Sequence, residues 1–271
     1  MEMNSSVTSI IMAAGRGSRM KMYDGNKTLL PLIPGSSSFE GQKPILIHIL
    51  STLPPGPQAV IVNYKSEDVK NASQAFDLTY CHQPELNGTG GALLAARDFL
   101  DSQSSENVLI TMGDVPFVHA DTYIKLVNKL DEHHLVVLGF QPKDKKQYGV
   151  LEIRENRVEK ITEAKYWMKY PKEKQASLTI CNSGIYAARL ETLRRFLPVL
   201  ASRPQIVRKE RRGVMTDIRE YFITDIVEYM NADGLSVGCS LTENEAETMG
   251  VDDPAALEKA RKYYREIMGD A

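Results

Sequence analysis

A short apolar run near the start of the chain leads directly into a loop of small residues and cations. The run from Val7 to Met12 predicts a buried parallel strand, and the loop after it contains Ala14, Gly15 and Gly17. A backbone without bulky side chains can approach a nucleotide closely. Three cations lie on or near the loop: Arg16, Arg19 and Lys27. Since backbone N–H groups and fixed cations bind polyphosphates, the segment predicts a triphosphate site.

The spacing of this loop differs from two common phosphate-binding motifs. It is not a P-loop, and it is not G-x-G-x-x-G because position 20 is Met. An ordinary glycine-rich strand-to-helix turn is the alternative interpretation. Arg19, Met20 and the K-T-L-L-P segment that starts at Lys27 favour the phosphate site.

The first half of the chain alternates between predicted strands and helices. Strands are expected at 7–12, 58–63, 78–81, 108–112 and 135–140, and helices at 44–53, 66–76, 89–101 and 120–132. This order predicts an α/β fold with a doubly wound, mostly parallel sheet. Ligands of such sheets bind outside the carboxyl ends of the strands, where the glycine-rich loop and Gly113-Asp114 are both expected.

The second half changes to an antiparallel pattern. Segments 149–153 and 158–163 flank a predicted hairpin turn, and 178–187 predicts a further strand. We expect a small antiparallel lid over the sheet edge that carries a second substrate site. The remaining predicted elements are helices at 190–196, 218–230 and 254–268 and a strand at 236–239. The serine-rich Gly35–Phe39 and the basic Pro204–Gly213 predict surface loops, with a phosphate contact or subunit interface as the alternative for the second.

Charge and cysteine content limit the classes of partner. A formal net charge of -2 gives no reason to expect nucleic acid or an anionic membrane. No apolar run approaches the roughly 18 residues of a membrane span, and no secretory signal is evident. Cys81, Cys181 and Cys239 form neither a disulfide framework nor a zinc pattern, so we expect reduced thiols in a cytoplasmic protein.

A second constellation reads Q-P-E-L-N-G-T-G-G-A from Gln83 to Ala92, between a strand and a helix. A glutamine amide both donates and accepts hydrogen bonds, so Gln83 can pair with the edge of a pyrimidine. Gly88 would let the backbone approach the base, and Thr89 is expected to cap the helix. A capped turn with a surface glutamine is the alternative.

Carboxylates follow at two further positions. Asp114 comes after a buried strand and a glycine, a common place for a ligand of Mg²⁺, which prefers hard oxygens; a simple Asp turn is the alternative. Asp252 and Asp253 precede Pro254, a pattern that fits a helix N-cap with proline at the first helical position. Both roles are compatible if Asp253 caps the helix and Asp252 binds a ligand.

In this order the motifs resemble those of the sugar-1-phosphate nucleotidyltransferases, whose fingerprint is A-A-G-x-G-[ST]-R-M followed by a lysine near L-P. The resemblance spans about residues 7–260 and is strongest to the N-terminal uridylyltransferase domain of bifunctional N-acetylglucosamine-1-phosphate enzymes. Gly91 departs from the histidine usual in that subgroup, and segments 34–42 and 199–216 are longer than its usual connections. No hexapeptide repeat follows residue 252, so acetyltransferase activity is not expected.

The resemblance implies a Rossmann-like sheet of the nucleotide-diphospho-sugar transferase type in one domain, 1–271. Residues 7–140 would bind the nucleotide, 141–252 would form the sugar-binding part and lid, and 253–271 the terminal helix. It also implies transfer of UMP from UTP to a sugar 1-phosphate, with Arg19 and Lys27 as the catalytic cations and Mg²⁺ on Asp114 and Asp252. The substrate-binding positions that it implies are Ala14, Gly15, Gly17, Gln83, Gly88, Thr89, Gly149, Glu163, Asn182 and Thr224.

Other functions stay open at this point. A cytidylyltransferase or a molybdenum-cofactor-type nucleotidyltransferase would keep the chemistry and change the substrate. A non-catalytic nucleotide-sugar sensor or subunit would keep the binding residues without the reaction. The sequence leaves open which sugar 1-phosphate is used and whether the chain forms a homo-oligomer.

Overall fold

Strands and helices alternate along the first half of the chain and give way to hairpins in the second. The computed structural model describes residues 6–17, 19–20, 22–145, 147–211 and 214–269. Its strands are β1 Thr8–Met12, β2 Pro31–Pro34, β3 Gly41–Pro44, β4 Gln58–Val62, β5 Leu78–His82, β6 Asn107–Met112, β7 Leu135–Phe140, β8 Val150–Arg154, β9 Arg157–Thr162, β10 Cys181–Arg189, β11 Gln205–Arg211, β12 Val214–Glu220 and β13 Val237–Leu241. Its α-helices are α1 Ile45–Thr52, α2 Ser66–Ala72, α3 Thr89–Ala95, α4 Arg97–Ser102, α5 Ala120–Asn128, α6 Ala164–Trp167, α7 Lys172–Ser177, α8 Leu190–Ser202, α9 Asp225–Ala232 and α10 Pro254–Met268.

The central sheet has the strand order β13-β7-β10-β6-β1-β4-β5. Strand β1 pairs in parallel with β4 and β6, β4 with β5, and β7 with β13. Strand β10 runs antiparallel between β6 and β7, and it carries the β8–β9 hairpin at its start. The predicted mostly parallel sheet with a small antiparallel part is therefore confirmed.

Helices cover both faces of this sheet. Because side chains alternate along a strand, Ile10 packs on one face and Ile11 on the other. Helices α3, α4, α8 and α9 cover the face of Ile10. Helices α1 and α2 cover the opposite face, where α5 and α10 also pack. The predicted doubly wound arrangement follows from this two-sided burial.

The predicted hairpin in the second half is also confirmed, with a two-residue turn at Glu155-Asn156. Both turn residues have positive φ, 49° and 63°. Such a turn matches the twist of the strands on either side, and Asn is one of the residues that adopt this conformation most readily. The hairpin places Thr162 and Glu163 at the edge of the molecule that carries the strand ends.

The segment 34–42 forms the turn of a second hairpin, β2–β3, which includes the predicted loop Gly35–Phe39. Arg261 on α10 is almost fully buried and holds it in place. Its Nε donates to the Pro31 carbonyl at 3.1 Å, and its second terminal nitrogen donates to the Ser38 carbonyl at 2.5 Å. This added segment is therefore anchored to the terminal helix.

Four sequence predictions need correction. Residues 204–211 are not a loop, because Gln205–Arg211 pairs along its whole length with Val214–Glu220; Arg212 and Gly213 lie outside the described residues. Because β12 continues to Glu220, the helix predicted at 218–230 begins only at Asp225. The helix predicted at 89–101 is interrupted at Ala96, and the one predicted at 190–196 continues through Pro198 to Ser202.

Candidate functional site

A first cavity of about 370 Å³ opens at the carboxyl ends of β1, β5 and β6. It lies where ligands of doubly wound sheets bind. Eight of the predicted site residues line this cavity: Ala14, Gly15, Gly17, Lys27, Gln83, Gly88, Thr89 and Asp114. Their convergence makes the cavity the candidate site for the nucleotide.

The glycine-rich loop leaves its backbone open toward the cavity. A Cβ at position 15 would meet no atom within 4 Å, so the space next to the Gly15 Cα is open. Gly17 has φ +61°, a conformation that favours glycine, and a Cβ there would lie 3.0 Å from Lys27 Cβ. The Gly17 carbonyl accepts a hydrogen bond from Met20 N at 2.8 Å, which closes the turn. Ser18 lies outside the described residues.

Asn26 caps the short turn that begins with Lys27, and the sequence motifs assign no role to Asn26. Its side chain is fully buried and donates to the Ala13 and Tyr64 carbonyls at 3.2 and 2.9 Å. Its Oδ1 accepts from Thr28 N at 3.0 Å, which caps the 3₁₀ turn Lys27–Leu29. An asparagine directly before a short helical segment is the sequence signal that could have indicated this cap.

Lys27 connects the two predicted metal ligands. Its Nζ contacts Asp114 Oδ2 and lies 3.0 Å from Asp252 Oδ1. Burial acts to lower the pKa of Lys27, but the two carboxylates more than offset it and hold the pKa above its ordinary value. Arg19 is more exposed and lies 3.5 Å from Asp252 Oδ1. Lys27 therefore contacts both predicted carboxylates, and Arg19 contacts Asp252.

Backbone contacts fix the register of the second carboxylate. Val251 N donates to the Asp114 carbonyl at 2.8 Å, so residues 251 and 252 lie beside the end of β6. Asp253 Oδ1 accepts from Ala256 N at 2.8 Å and caps α10, with Pro254 at the first helical position. The capping prediction for Asp253 is confirmed, and the Asp252 side chain is left to face Lys27.

The oxygens of Asp114 and Asp252 suit a magnesium ion. Both carboxylates already converge on one cation, the Lys27 ammonium, and hard oxygen ligands from one or two carboxylates plus phosphates are what Mg²⁺ takes. Within the described residues no group of three or more His, Cys, Asp or Glu side chains could hold a metal. A metal here would therefore depend on phosphate and water oxygens for its other ligands.

Gln83 and Gly88 form one end of the first cavity. Gln83 is buried, and Asn63 Nδ2 donates to its backbone carbonyl at 2.7 Å. Gly88 has φ +96°, and a Cβ there would overlap the Tyr221 carbonyl, so only glycine fits. Thr89 does not cap α3 as predicted, because Gly88 occupies the N-cap position; instead its Oγ1 accepts from Ile223 N at 3.2 Å.

A second cavity of about 770 Å³ adjoins the first, and both are lined by Glu220 and Phe222. Of the predicted sugar-binding residues, Glu163 and Thr224 line it. Burial and Asp225 raise the pKa of Glu163, with Lys165 acting in the opposite direction. No described residue donates a hydrogen bond to the Glu163 carboxylate, so it is available to a ligand.

Gly149 and Asn182 lie beside this cavity and do not line it. Asn182 N donates to the Gly149 carbonyl at 2.8 Å, and a Cβ at Gly149 would lie 3.6 Å from Glu163 Oε2. The Asn182 amide donates to the Tyr186 hydroxyl at 2.9 Å. Gly149 therefore lies next to Glu163, and Asn182 is hydrogen-bonded to Gly149; the predicted contact of both residues with a sugar stays a prediction.

Gln205 on β11 was not predicted as part of any site. Its Nε2 donates to both carboxylate oxygens of Asp225, at 2.8 and 2.9 Å, and both residues line the second cavity. The signal in the sequence was weak, because Gln205 lies in a segment that predicts a surface loop.

Comparisons with known proteins identify the family of this chain. The profile of the MobA-like NTP transferase domain matches residues 9–179. The bifunctional protein GlmU of Cereibacter sphaeroides is 31% identical over 267 residues, covering 97% of this chain and 53% of the relative, and that of Chromohalobacter salexigens is 31% identical over 264 residues, covering 95% and 52%. The chain thus spans about half the length of the curated relatives it matches. The predicted resemblance to sugar-1-phosphate nucleotidyltransferases is confirmed.

A solved structure shares the fold. It is a Bacillus anthracis protein assigned as a glucose-1-phosphate thymidylyltransferase, with a TM-score of 0.69 over 96% of each chain and 20% identity. No helix in the part of the chain that the structure describes is long and apolar enough to cross a bilayer.

Proposed function

Because the chain belongs to the MobA-like NTP transferase domain family, we propose that it transfers UMP from UTP to a sugar 1-phosphate and releases pyrophosphate. The observation that carries the proposal is the pair of adjoining cavities, which share Glu220 and Phe222. The Lys27–Asp114 ion pair lies in the first of them. Two substrates in contact across a charged edge are what a transfer reaction needs.

The first cavity is proposed to hold UTP. The open backbone above Gly15 and the turn at Gly17 would face the triphosphate, and Gln83 with Gly88 would face the uracil. The second cavity would hold the sugar. The Glu163 carboxylate, to which no described residue donates a hydrogen bond, suits neighbouring hydroxyl groups, which favours a hexose derivative. N-acetylglucosamine 1-phosphate is the acceptor we infer from the GlmU relatives.

The reaction would be an in-line displacement. An oxygen of the sugar phosphate attacks the α-phosphorus of UTP, the bond to the bridging oxygen breaks, and pyrophosphate leaves with the electron pair. The attacking phosphate is already ionised, so no strong general base is required. Catalysis then consists of positioning and charge neutralisation.

Each cation would have a separate task. Lys27, at the start of the turn that Asn26 caps, would lie where charge develops around the α-phosphate, and the more exposed Arg19 would hold the β- and γ-phosphates. Asp114 and Asp252 would hold Mg²⁺. When bound, the ion would neutralise phosphate charge at the edge between the two cavities.

A substrate panel tests the proposal. The purified chain is incubated with UTP, CTP, GTP or dTTP and with several sugar 1-phosphates, with and without Mg²⁺, and pyrophosphate release is measured. We expect release with UTP and N-acetylglucosamine 1-phosphate, only in the presence of Mg²⁺. Preference for a purine nucleotide would contradict the base assignment, and activity only with glucose 1-phosphate would contradict the sugar. Binding without any pyrophosphate release would favour a non-catalytic sensor.

A further inference from the structure

The carboxamide of Gln83 has a defined orientation. Its Nε2 lies 3.2 Å from the Gly88 carbonyl and 3.0 Å from Asn87 Oδ1. A backbone carbonyl can only accept a hydrogen bond, so the Gln83 atom that faces Gly88 must be the nitrogen. Both amide hydrogens of Gln83 are therefore used within the protein, one on Gly88 and one on Asn87.

The carbonyl end of the same side chain is free. No described residue donates a hydrogen bond to Gln83 Oε1. Among the described residues only Ser9 Oγ and His133 Nδ1 are buried side-chain polar atoms without a partner, so Gln83 Oε1 is accessible. Since Gln83 lines the first cavity, this end of the cavity offers an acceptor and no donor from Gln83.

Asn87 has room for its side chain because position 91 is glycine. A Cβ at Gly91 would overlap Asn87 Oδ1 and lie 2.6 Å from its Cγ. The Asn87 backbone is fixed independently, since its carbonyl accepts from Tyr221 N at 2.9 Å. Any side chain at position 91 would therefore displace the Asn87 carboxamide from Gln83. Glycine at position 91, where the related subgroup usually has histidine, therefore leaves the space in which Asn87 accepts the hydrogen bond from Gln83.

We propose that Asn87 is a specificity-determining positioning residue that selects the base of the nucleotide. By holding the Gln83 amide hydrogens, it presents Oε1 to a pyrimidine whose N3 carries a hydrogen, as in uracil and thymine. Cytosine has an acceptor at N3, so two lone pairs would face each other across the same contact. The inference rests on the proposed nucleotidyltransferase function and specifies which nucleotide class that site accepts.

The test compares base selection in matched variants at position 87. The affinity for UTP and CTP is measured by calorimetry without a sugar, and kcat/KM for both is measured with the sugar 1-phosphate. Asn87→Leu removes one of the two acceptors, so Gly88 alone holds the orientation of the Gln83 amide and we expect the preference for UTP over CTP to fall about tenfold. Asn87→Asp keeps an acceptor at the same place and is expected to keep the preference.

Variants at position 91 give an independent route to the same displacement. Gly91→Ala should lower the UTP preference as Asn87→Leu does, because the new methyl group pushes Asn87 away. It should also lower the melting temperature in the wild-type background and much less when combined with Asn87→Ala, which removes the overlapping group. A purely structural role for Asn87 would lower stability in these variants without moving the ratio between the two nucleotides.

The outcomes separate this inference from the proposed function. If Asn87→Leu and Gly91→Ala fold and keep the wild-type ratio, the inference is wrong while uridylyl transfer stands. If the wild-type protein prefers CTP, the orientation inferred for Gln83 is wrong, and nucleotidyl transfer still stands. If the wild-type protein binds no pyrimidine nucleotide and releases no pyrophosphate, the proposed function fails and this inference with it.

Discussion

The two adjoining cavities differ in how their walls are built. The first is formed by loops at the ends of paired parallel strands, whose register fixes where each loop starts. The second is formed by the short helix α6, by α9 and by the hairpin β11–β12, which pairs with no other strand among the described residues. Contiguous motifs suffice for the first kind of wall, whereas the second depends on contacts between distant segments.

The difference also concerns charge. In the first cavity Lys27 and Asp114 already neutralise each other, with Asp252 as a third partner. In the second, burial raises the pKa of both Glu163 and Asp225; among the described residues, Gln205 donates to the Asp225 carboxylate and none donates to that of Glu163. Under the proposed function, the first region would stabilise charge on phosphates, and the second would offer a carboxylate to the hydroxyl groups of the acceptor. Variants in the first region should therefore affect turnover and those in the second should affect acceptor binding.

The largest effect is expected for Lys27→Ala. Loss of a preorganised cation where charge develops costs about 2–4 kcal/mol, or roughly 30- to 1,000-fold in kcat. Arg19→Ala should lower kcat less, since Arg19 is 68% exposed whereas Lys27 is 11% exposed. Steady-state kinetics measure both, with the surface variant Lys70→Ala as the matched control. Near-normal turnover in both variants would make the glycine-rich loop an ordinary turn.

The next effect concerns magnesium and the register of the C-terminal ligand. Asp114→Asn and Asp252→Asn keep the shape and remove a charge, so each should raise the Mg²⁺ concentration for half-maximal activity. Loss of a charged partner costs about 1.5–3 kcal/mol, which is about 10- to 150-fold. Asp253→Asn is the matched control, because asparagine also caps helices well and Asp253 caps α10.

The opposite result for Asp252 and Asp253 would change the assignment of the second magnesium ligand. If Asp253→Asn abolished magnesium-dependent turnover and Asp252→Asn did not, the ligand would lie one residue further along the chain. If neither mattered, Asp225 would be the next candidate, although it lines the second cavity and is bound by Gln205. Calorimetric titration with Mg²⁺ distinguishes lost binding from lost turnover.

The first and second cavities also differ in how much of their structure could be predicted from the sequence. The parallel strands and the helices between them were predictable because buried apolar runs and amphipathic periods are local signals. The residues around the first cavity were predictable because each motif directly follows a strand, as Gly113-Asp114 follows β6. Asn26 was not predicted, since its role depends on the carbonyls of Ala13 and Tyr64, which lie in the segments that follow β1 and β4.

The lid was harder to predict for a physical reason. Strands β11 and β12 stabilise each other by cross-strand pairs such as Val207 with Ile218, and neither strand has a strong pattern alone. The charges at 208–212 conceal the strand pattern and suggest a loop. Without that strand, the apolar residues from Ile218 onward predict a helix whose start lies seven residues before the observed one at Asp225.

A smaller effect is expected for Glu163→Gln. The amide keeps the size of the side chain but exchanges charge-assisted hydrogen bonds for neutral ones, a difference of about 1 kcal/mol. We expect KM for the sugar 1-phosphate to rise about fivefold while KM for UTP stays unchanged. Glu159→Gln, on the exposed face of β9, is the matched control. An equal rise in both KM values would show that the two cavities are not separate in function.

The smallest effect is a dependence of acceptor binding on pH. Burial and Asp225 raise the pKa of Glu163, so as pH falls this side chain takes up a proton at higher pH than an ordinary glutamate, whose pKa is about 4.3. The raised pKa of Glu163 favours the protonated form in the folded protein, so this position stabilises the fold at low pH and loses that contribution as pH rises. Acceptor binding depends on pH in the opposite direction, because the hydroxyl groups need the ionised carboxylate.

KM for the sugar 1-phosphate should therefore rise as pH falls and level off at the value of Glu163→Gln, the variant that has no proton to gain. KM for UTP, measured over the same range, serves as the reference. A pH dependence that persists in Glu163→Gln would mean that another group, such as Asp225, controls the second cavity.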